Sequence, residues 1–213
     1  MATITKGILG GFSGTVGTVV GANFRGKDII RSRPKPSGKA PTIKQLLQQD
    51  KFRLVAIFLQ PLKGIQNKYF GATSGARSKT NLATSYTLNN AIDVVLNVPS
   101  LLFNKILITK GDLAAFQDLT ATPAQDQKVK LVWLDNSLQG NAAATDVVNA
   151  VFYSELSGNF EIYTAIATRD NGNAEIALPA FYAGQDLHVW LFLSNSKENS
   201  ACNSSYLGVQ TIL

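Results

Sequence analysis

The 213-residue sequence contains very few of the side chains from which metal and redox sites are usually built. It has one cysteine, Cys202, one histidine, His188, and one methionine. A single cysteine cannot form an internal disulfide, and the chain has no paired-cysteine or paired-histidine spacing typical of a metal site. It also lacks a run of 18 apolar residues, the minimum for a membrane-spanning helix. We therefore expect no cofactor, no bound metal and no membrane span.

Acidic residues are scarce in the first 80 positions, where 14 Lys and Arg face only Asp28 and Asp50. Residues 81–213 reverse the balance, with 6 basic and 12 acidic residues. Such asymmetry indicates that the basic segment meets an acidic partner. Nucleic acid, an anionic membrane and a second copy of the chain all qualify, but only the second copy accounts for both signs of charge.

The first 22 residues loosely resemble an export signal, with Lys6 followed by a mildly apolar segment. Five glycines within that segment make it a poor helix, whereas a signal peptide has a compact apolar core and is removed. We expect no cleaved signal peptide, and therefore a protein that is cytoplasmic or lies within an assembled particle.

The stretch GANFRGKD, from Gly21 to Asp28, contains the spacing G-x-x-x-x-G-K of a phosphate-binding loop. Such a loop continues with Ser or Thr and leads directly into a helix, whose N-terminal amides complete the anion site. Here Asp28 follows the lysine, and a β-branched run ending at Pro34 comes next. The sequence therefore predicts a hairpin turn at this stretch and no nucleotide site.

A basic stripe begins in that turn and is the strongest functional feature of the sequence. It contains Arg25, Lys27, Arg31, Arg33, Lys35 and Lys39. Arg31 and Arg33 alternate along a predicted strand and so share one face. The stripe could contact phosphates in a salt-dependent manner, dock onto another subunit, or form a solvated face. Phe24 is its only stacking aromatic, which argues against recognition of bases.

One long amphipathic helix is predicted over residues 42–68. Thr42 and Gln45 have the spacing of a capping box, and apolar residues recur at three- and four-residue steps. Leu54, Phe58 and Leu62 form the face expected to pack on a sheet. Pro61 should kink or end the helix near Gln60, because proline lacks a backbone donor.

From Lys79 onward the pattern predicts β structure, with seven short apolar runs separated by turns. These are Leu102–Thr109, Lys128–Leu134, Val147–Tyr153, Phe160–Thr168, Ala174–Leu178, Leu187–Leu193 and Tyr206–Leu213. The sequence thus predicts a mostly β, α+β fold: a glycine-rich N-terminal β-hairpin, the helix, and a C-terminal immunoglobulin-like β-sandwich. The expected domains are residues 1–40 (hairpin arm and linker), 41–78 (helix and connector) and 79–213 (sandwich).

No catalytic constellation is apparent. His188 alternates with apolar residues and shares its strand face with Trp190 and Phe192, which favours a structural or surface role. Cys202 lies in a polar segment, where it could meet oxidants but has no second cysteine to resolve it. Asp170 to Asn173 are explained by a tight hairpin turn without invoking calcium.

Six blocks of sequence resemble an uncharacterised family of proteins of about 200 residues from Bacteroidota. They are GGFSGTVGTVVGANFRGKDIIRSRP, PTIKQLLQQDKF, FLQPLKGI, VWLDNS, LPAFYAGQDLHVWLF and NSSYLG. The resemblance covers nearly the whole chain and is consistent with a bacterial or phage origin. It implies no activity and no site residues, because the family has none that could be transferred.

We expect a non-enzymatic structural subunit that assembles with itself into a particle or filament, such as a virion component, through its N-terminal arm. Two alternatives remain open. One is a nucleic-acid-binding protein that uses the stripe at residues 25–39. The other is an immunoglobulin-like module that binds protein or glycan, if Tyr182, Trp190 and Tyr206 are exposed.

Overall fold

Two units make up the chain, residues 1–43 and residues 44–213. The computed structural model describes residues 2–4, 10–24, 26–35, 38–73 and 77–213. Within these residues, strands far outnumber helices. The fold is mostly β, as the sequence predicts.

The first unit contains a four-stranded antiparallel sheet whose strands follow chain order. They are β1 (Ala2–Ile4), β2 (Phe12–Val16), β3 (Val19–Phe24) and β4 (Lys27–Ser32). A turn at Gly17 connects β2 to β3, and Gly26 lies in the connection from β3 to β4; both glycines have positive φ. The prediction of one hairpin is corrected accordingly: Gly21 to Phe24 extend β3, so two hairpins share that strand.

Three α-helices occur in the described part of the chain, so the prediction of a single long helix is wrong. They are α1 (Ile43–Leu59), α2 (Lys63–Tyr69) and α3 (Lys79–Asn90). Pro61 separates α1 from α2, as its missing donor predicts. Helix α3 escaped prediction because threonine and asparagine, which favour helices weakly, dominate its sequence. Its start is nevertheless capped, since the Ser78 hydroxyl accepts the backbone N–H of Asn81 at 3.2 Å.

The second unit contains one four-stranded, one three-stranded and one two-stranded sheet among its described residues. The two-stranded hairpin pairs β5 (Ile92–Val95) with β6 (Val98–Leu101). The order in the four-stranded sheet is β10-β9-β12-β13, and in the three-stranded sheet β11-β8-β7. These strands are β7 (Gln117–Ala124), β8 (Lys128–Leu134), β9 (Val147–Ser154), β10 (Phe160–Thr168), β11 (Asn173–Ala177), β12 (Asp186–Ser194) and β13 (Ser205–Thr211).

Six of the seven predicted C-terminal strands are present, but Leu102–Thr109 is not a strand. Ile106 and Ile108 are buried there, which explains the apolar run. The backbone N–H of Ile108 binds the hydroxyl of Ser204 at 2.8 Å instead of a neighbouring strand. The turn around Asn171 and Gly172 also differs from the prediction. It joins β10 to β11, which lie in different sheets, so it is not a hairpin turn.

The four-stranded sheet of the second unit, β10-β9-β12-β13, is covered on both faces. Phe58 of α1 packs edge-on against Tyr153 and Phe160, each with ring centroids 5.1 Å away. On the opposite face, Phe152 meets Tyr163, whose hydroxyl donates to the carbonyl of Ala177 in the three-stranded sheet. The helices and the three-stranded sheet therefore bury β12 from both sides, and the predicted packing of the Phe58 face on a sheet is confirmed.

Candidate functional site

Strand β4 forms an outer edge of the first unit's sheet, and all six of its residues are exposed. Because side chains alternate along a strand, Lys27, Ile29 and Arg31 project to one face. Cross-strand pairing places Phe24 opposite Lys27 and Val20 opposite Arg31. The structure thus aligns two cations of the predicted stripe beside an aromatic ring that is 59% exposed.

The opposite face of the same sheet is also apolar and open. Ile30 of β4 is 68% exposed, and Val16 of β2 is 54% exposed. Both residues belong to the set that alternates with Lys27 and Arg31, as the register Gly14–Gly21–Ile30 shows. The sheet therefore presents large apolar side chains on both faces, and no described strand pairs with the outer edge of β4.

The turn at the start of β4 is held by side chains and offers no phosphate site. The side-chain amide of Asn23 donates to the carboxylate of Asp28 at 2.9 Å. The backbone N–H of Gly26 donates to the side-chain oxygen of Asn23 at 3.0 Å. A strand follows where a nucleotide-binding loop needs a helix. The turn is also shorter than the one predicted over Gly21 to Asp28, because Gly21 to Phe24 belong to β3.

The remaining residues of the basic stripe follow the strand. The backbone N–H of Arg33 binds the carbonyl of Thr18 at 2.8 Å, which extends the pairing by one residue. Lys35 and Lys39 are exposed. Arg25 lies outside the described residues, so its predicted place in the stripe stays a prediction.

The division into units changes the interpretation of the charge. Residues 1–43 contain seven of the twenty basic residues but only one acid, Asp28, which gives a net charge of +6. Residues 44–213 contain thirteen residues of each sign and are neutral. The sequence suggested an acidic C-terminal segment only because it was divided at residue 80. With the division at residue 43, the second unit has no net charge, and the whole positive excess of the chain belongs to the first unit.

The first half of α1 adds a second exposed apolar surface. Ile43, Leu46 and Phe52 are 70%, 45% and 54% exposed, respectively. No residue of this helix is buried before Val55. Helical spacing predicted an apolar face along the whole segment, but only its second half is covered by the sheet.

His188 lies between an acid and a phenol beneath an aromatic ring. Its Nδ1 is 2.7 Å from the hydroxyl of Tyr206, and its Nε2 is 2.6 Å from the carboxylate of Glu155. The ring of Phe103 stacks on the imidazole at 3.9 Å between centroids. His188 is 6% exposed, so both ring nitrogens are engaged inside the fold.

Three residues do not occupy the positions that the sequence suggested. Trp190 and Tyr182 are fully buried, so they cannot serve as exposed anchors for a glycan or protein ligand, and Tyr206 is partly buried.

Cys202 is also buried, and its sulfur accepts the backbone N–H of Leu193 at 3.1 Å. Burial raises the pKa of this thiol to about 11. The expectation of an accessible polar loop at Cys202 is therefore wrong.

A groove of about 790 Å³ lies where α2 and α3 meet the loop around Asn199. It is lined by three lysines, each already engaged. Lys68 pairs with Glu198 at 2.7 Å, and Lys79 donates to the carbonyl of Lys68 at 2.6 Å. Lys110 lies 5.4 Å above the ring of Tyr86. These internal contacts favour a structural role for the three cations.

The described ranges contain neither a metal-binding cluster nor a membrane-spanning helix. No three His, Cys, Asp or Glu side chains there lie close enough together to hold a metal ion. None of the described helices combines the length and the apolar character needed to cross a bilayer.

Comparison with known proteins identifies a family but no activity. A model described as "Family of unknown function (DUF6266)" matches residues 11–208, and no curated protein matches the chain. The fn3 domain of human collagen alpha-1(XX) chain is similar at 9% identity over 46% of this chain and 85% of its own, with a TM-score of 0.35. The chicken CNTN1 FN1-FN3 domains are similar at 12% identity over 48% of this chain and 34% of their own, with a TM-score of 0.36. The fn3 domain of human contactin 1 is similar at 9% identity over 49% of this chain and 83% of its own, with a TM-score of 0.32. Similarities this weak carry no functional argument.

Proposed function

The chain belongs to this family of unknown function, and we propose that it is a non-enzymatic structural subunit that assembles with itself through its N-terminal unit. The product would be a particle or filament, such as a virion or phage-like component. The observation that carries the proposal is the sheet of residues 1–43. It exposes Phe24, Ile29, Ile30 and Val16 on its two faces, next to an open edge at β4.

Such a sheet is poorly suited to remain alone in water. An edge strand presents a row of unpaired N–H and C=O groups that can accept another strand. Contiguous exposed apolar surface commonly marks an interaction site. The exposed half of α1, with Ile43, Leu46 and Phe52, adds further apolar area that a neighbouring copy could cover.

Self-pairing of β4 across a two-fold axis is disfavoured by charge. A two-fold axis perpendicular to the sheet leaves every side chain on its own face of the sheet. Two residues that pair across the axis must therefore share a face, and only residues separated by an even number of positions do so. Centred on Ile29, this pairing sets Lys27 against Arg31 of the other copy; centred on Ile30, it sets Lys27 against Arg33. Like charges directly opposite one another destabilise a pair of strands. Assembly through β4 therefore favours contact with a different surface of the neighbour, the arrangement that produces rings or filaments.

The remaining finer predictions fit this proposal. The orders β10-β9-β12-β13 and β11-β8-β7 support an immunoglobulin-like sandwich, in which two antiparallel sheets enclose a common core. Such a sandwich would serve as the body of the subunit, with the N-terminal unit as its arm. An origin in Bacteroidota stays a prediction of the sequence.

A second candidate function, nucleic-acid binding, is favoured by the charge of the first unit. The net charge of +6 is concentrated in 43 residues, while the rest of the chain is neutral. Lys27 and Arg31 project from one face of β4, and Arg33 and Lys35 follow on exposed chain. Cations in such a row neutralise successive phosphates and release bound counterions.

Sedimentation velocity over a range of protein concentration and salt tests the first proposal. We expect the unmodified protein to sediment as assemblies, and Ile30→Asp to shift it to monomer. Leu156→Asp is the matched control, because Leu156 is 83% exposed but lies in the second unit. A protein that stays monomeric under all conditions overturns the proposal.

Filter binding with single-stranded and double-stranded DNA tests the second candidate. Replacing Arg31 and Arg33 together by alanine should weaken binding. It should also reduce the magnitude of the slope of log affinity against log salt by about 2, because each lost phosphate contact reduces it by about 1. Replacing Lys128 and Lys130, two alternate cations on β8 of the neutral unit, should change neither. Absence of binding at low salt, or an unchanged slope in the arginine variant, eliminates this candidate.

A further inference from the structure

The hairpin of β5 and β6 ends in an apolar tip whose side chains are largely exposed. Leu96 is 91% exposed, and its neighbours Val95 and Val98 are 60% and 67% exposed. Leu96 and Asn97 form the turn, with φ of 51° and 65°. The three aliphatic side chains therefore lie together at the end of a two-stranded hairpin.

The sequence of this turn is unfavourable for an isolated hairpin. Two consecutive left-handed residues define a turn that prefers asparagine, aspartate or glycine at both positions. Asn97 fits that preference, but leucine is strained in this conformation. Strain of this kind is characteristic of positions that serve in recognition. At Leu96 it coincides with nearly complete exposure of a large apolar side chain.

We propose that this tip is a knob that inserts into a groove between α1 and α3 of a second copy of the chain. The groove has a volume of about 530 Å³ and is lined by Lys51, Phe52, Thr84, Ser85 and Leu88, among others. Six of its eight lining side chains are polar, and Phe52 and Leu88 supply its apolar surface. Phe52 is 54% exposed and Leu88 is partly buried. Leu96 does not fill the groove of its own chain, because its side chain is almost entirely exposed.

Charge supports a second copy as the occupant. Lys51 is the only ionisable side chain that lines the groove among the described residues, and Asp93 is the only one on the hairpin. The two have opposite sign. An anionic membrane would instead require cations beside the apolar tip, and the hairpin carries none.

The contact is too small to hold two copies together by itself, so it must act together with other contacts. Three aliphatic side chains bury far less than the roughly 1,000 Å² that a stable isolated interface requires. The knob and the groove are different surfaces, so each copy can both insert and receive, and the contact propagates along a ring or filament. The inference rests on the proposed self-assembly and adds to it a second contact, located in residues 44–213.

Disulfide trapping tests the contact directly. Leu96→Cys and Ser85→Cys variants are mixed under mild oxidation, and we expect a disulfide dimer that contains one chain of each kind. Cys202 is buried and does not compete. A mixture of Leu138→Cys with Ser85→Cys is the control, because Leu138 is 99% exposed in a different loop and should not form the bond.

Variants of the tip separate recognition from folding. Leu96→Asn relieves the strained position, so we expect an unchanged or higher melting temperature together with at least a tenfold loss of assembly affinity. Asp93→Lys and Lys51→Asp should each weaken assembly, and the two combined in one chain should restore it.

Two results would overturn the inference, and they are distinguishable. If the unmodified protein assembles but neither the mixed disulfide nor the charge-swap rescue is observed, the knob contact is wrong and the assembly proposal stands. If the unmodified protein is monomeric at every concentration, both are wrong.

Discussion

The ring of Phe58 in α1 lies 6.4 Å from the ring of Trp190 in β12, with an angle of 65° between their planes. This contact joins the helical layer to the middle of the four-stranded sheet. Phe58 is 4% exposed and Trp190 is fully buried. Six residues earlier in the same helix, Phe52 is 54% exposed, so one helix offers a buried and an exposed phenylalanine for comparison.

Phe58→Ala should therefore lower the free energy of unfolding by about 3–5 kcal/mol, because it removes a buried ring and leaves a cavity. Phe52→Ala, measured in dilute protein, should change it by no more than about 0.5 kcal/mol. Urea denaturation followed by tryptophan fluorescence measures both. Equal losses would mean that the exposed half of α1 is covered in solution.

The sequence predicted the strands that have a strong local pattern. The runs Lys128–Leu134 and Phe160–Thr168 have the same bounds in the structure. Strand β7 was missed because Gln117 to Ala124 contains no strong apolar run and includes Pro123. That proline is tolerated because β7 lies at an edge of its sheet.

The candidate site was predicted only in part. The exposed basic residues of β4 follow from charge and alternation. The exposure of Ile30 and Phe52 does not, because an apolar residue carries no sign of whether another element covers it. Outside that site, a buried ion pair between Arg169 and Asp146 was equally hidden, since the two residues are 23 positions apart in the chain.

Arg169 and Asp146 form a fully buried ion pair that we expect to be sensitive to the loss of either partner. The guanidinium donates to the carboxylate of Asp146 at 2.9 and 3.0 Å and to the carbonyl of Ala114 at 2.8 Å. Asp146→Ala leaves an uncompensated buried cation and should cost about 3–5 kcal/mol. Asp50→Ala removes the exposed pair with Arg53, at 3.5 Å, and should cost at most about 1 kcal/mol. Thermal unfolding of the two variants checks this contrast; comparable losses would contradict it.

Cys202 should resist modification until the protein unfolds. Burial raises the pKa of its thiol to about 11 from an ordinary value of 9.0, and only the thiolate is nucleophilic. At pH 8 we expect alkylation by iodoacetamide to be slow in the native protein and fast in denaturant. Rapid native alkylation would show that the segment around Cys202 opens readily.

The same shift makes stability depend on alkaline pH. The native state holds the thiol proton more tightly than the unfolded state, so this contribution is fully present below pH 9. It is lost as the pH rises from 9 toward 11. Tyr182, whose pKa burial and Glu161 raise to about 12, acts in the same direction from its ordinary value of 10.0. Cys202→Ala should therefore flatten part of the decline in melting temperature between pH 9 and 11, and an unchanged decline would assign it to other groups.

Gly21 is required where β3 passes close to Phe12 of β2. A β-carbon at this position would lie 2.2 Å from the carbonyl oxygen of Phe12 and 2.6 Å from its ring. Gly21→Ala should therefore displace Phe12 and weaken the sheet, whereas Gly64→Ala in α2 meets nothing within 4 Å and should stabilise its helix by up to about 1 kcal/mol. Hydrogen exchange resolves the two effects: we expect Gly21→Ala to reduce amide protection in β2, β3 and β4 while residues 44–213 keep theirs. If the sheet is the surface through which copies assemble, the same substitution should also abolish assembly. Full assembly without sheet protection would place the contact elsewhere in the chain.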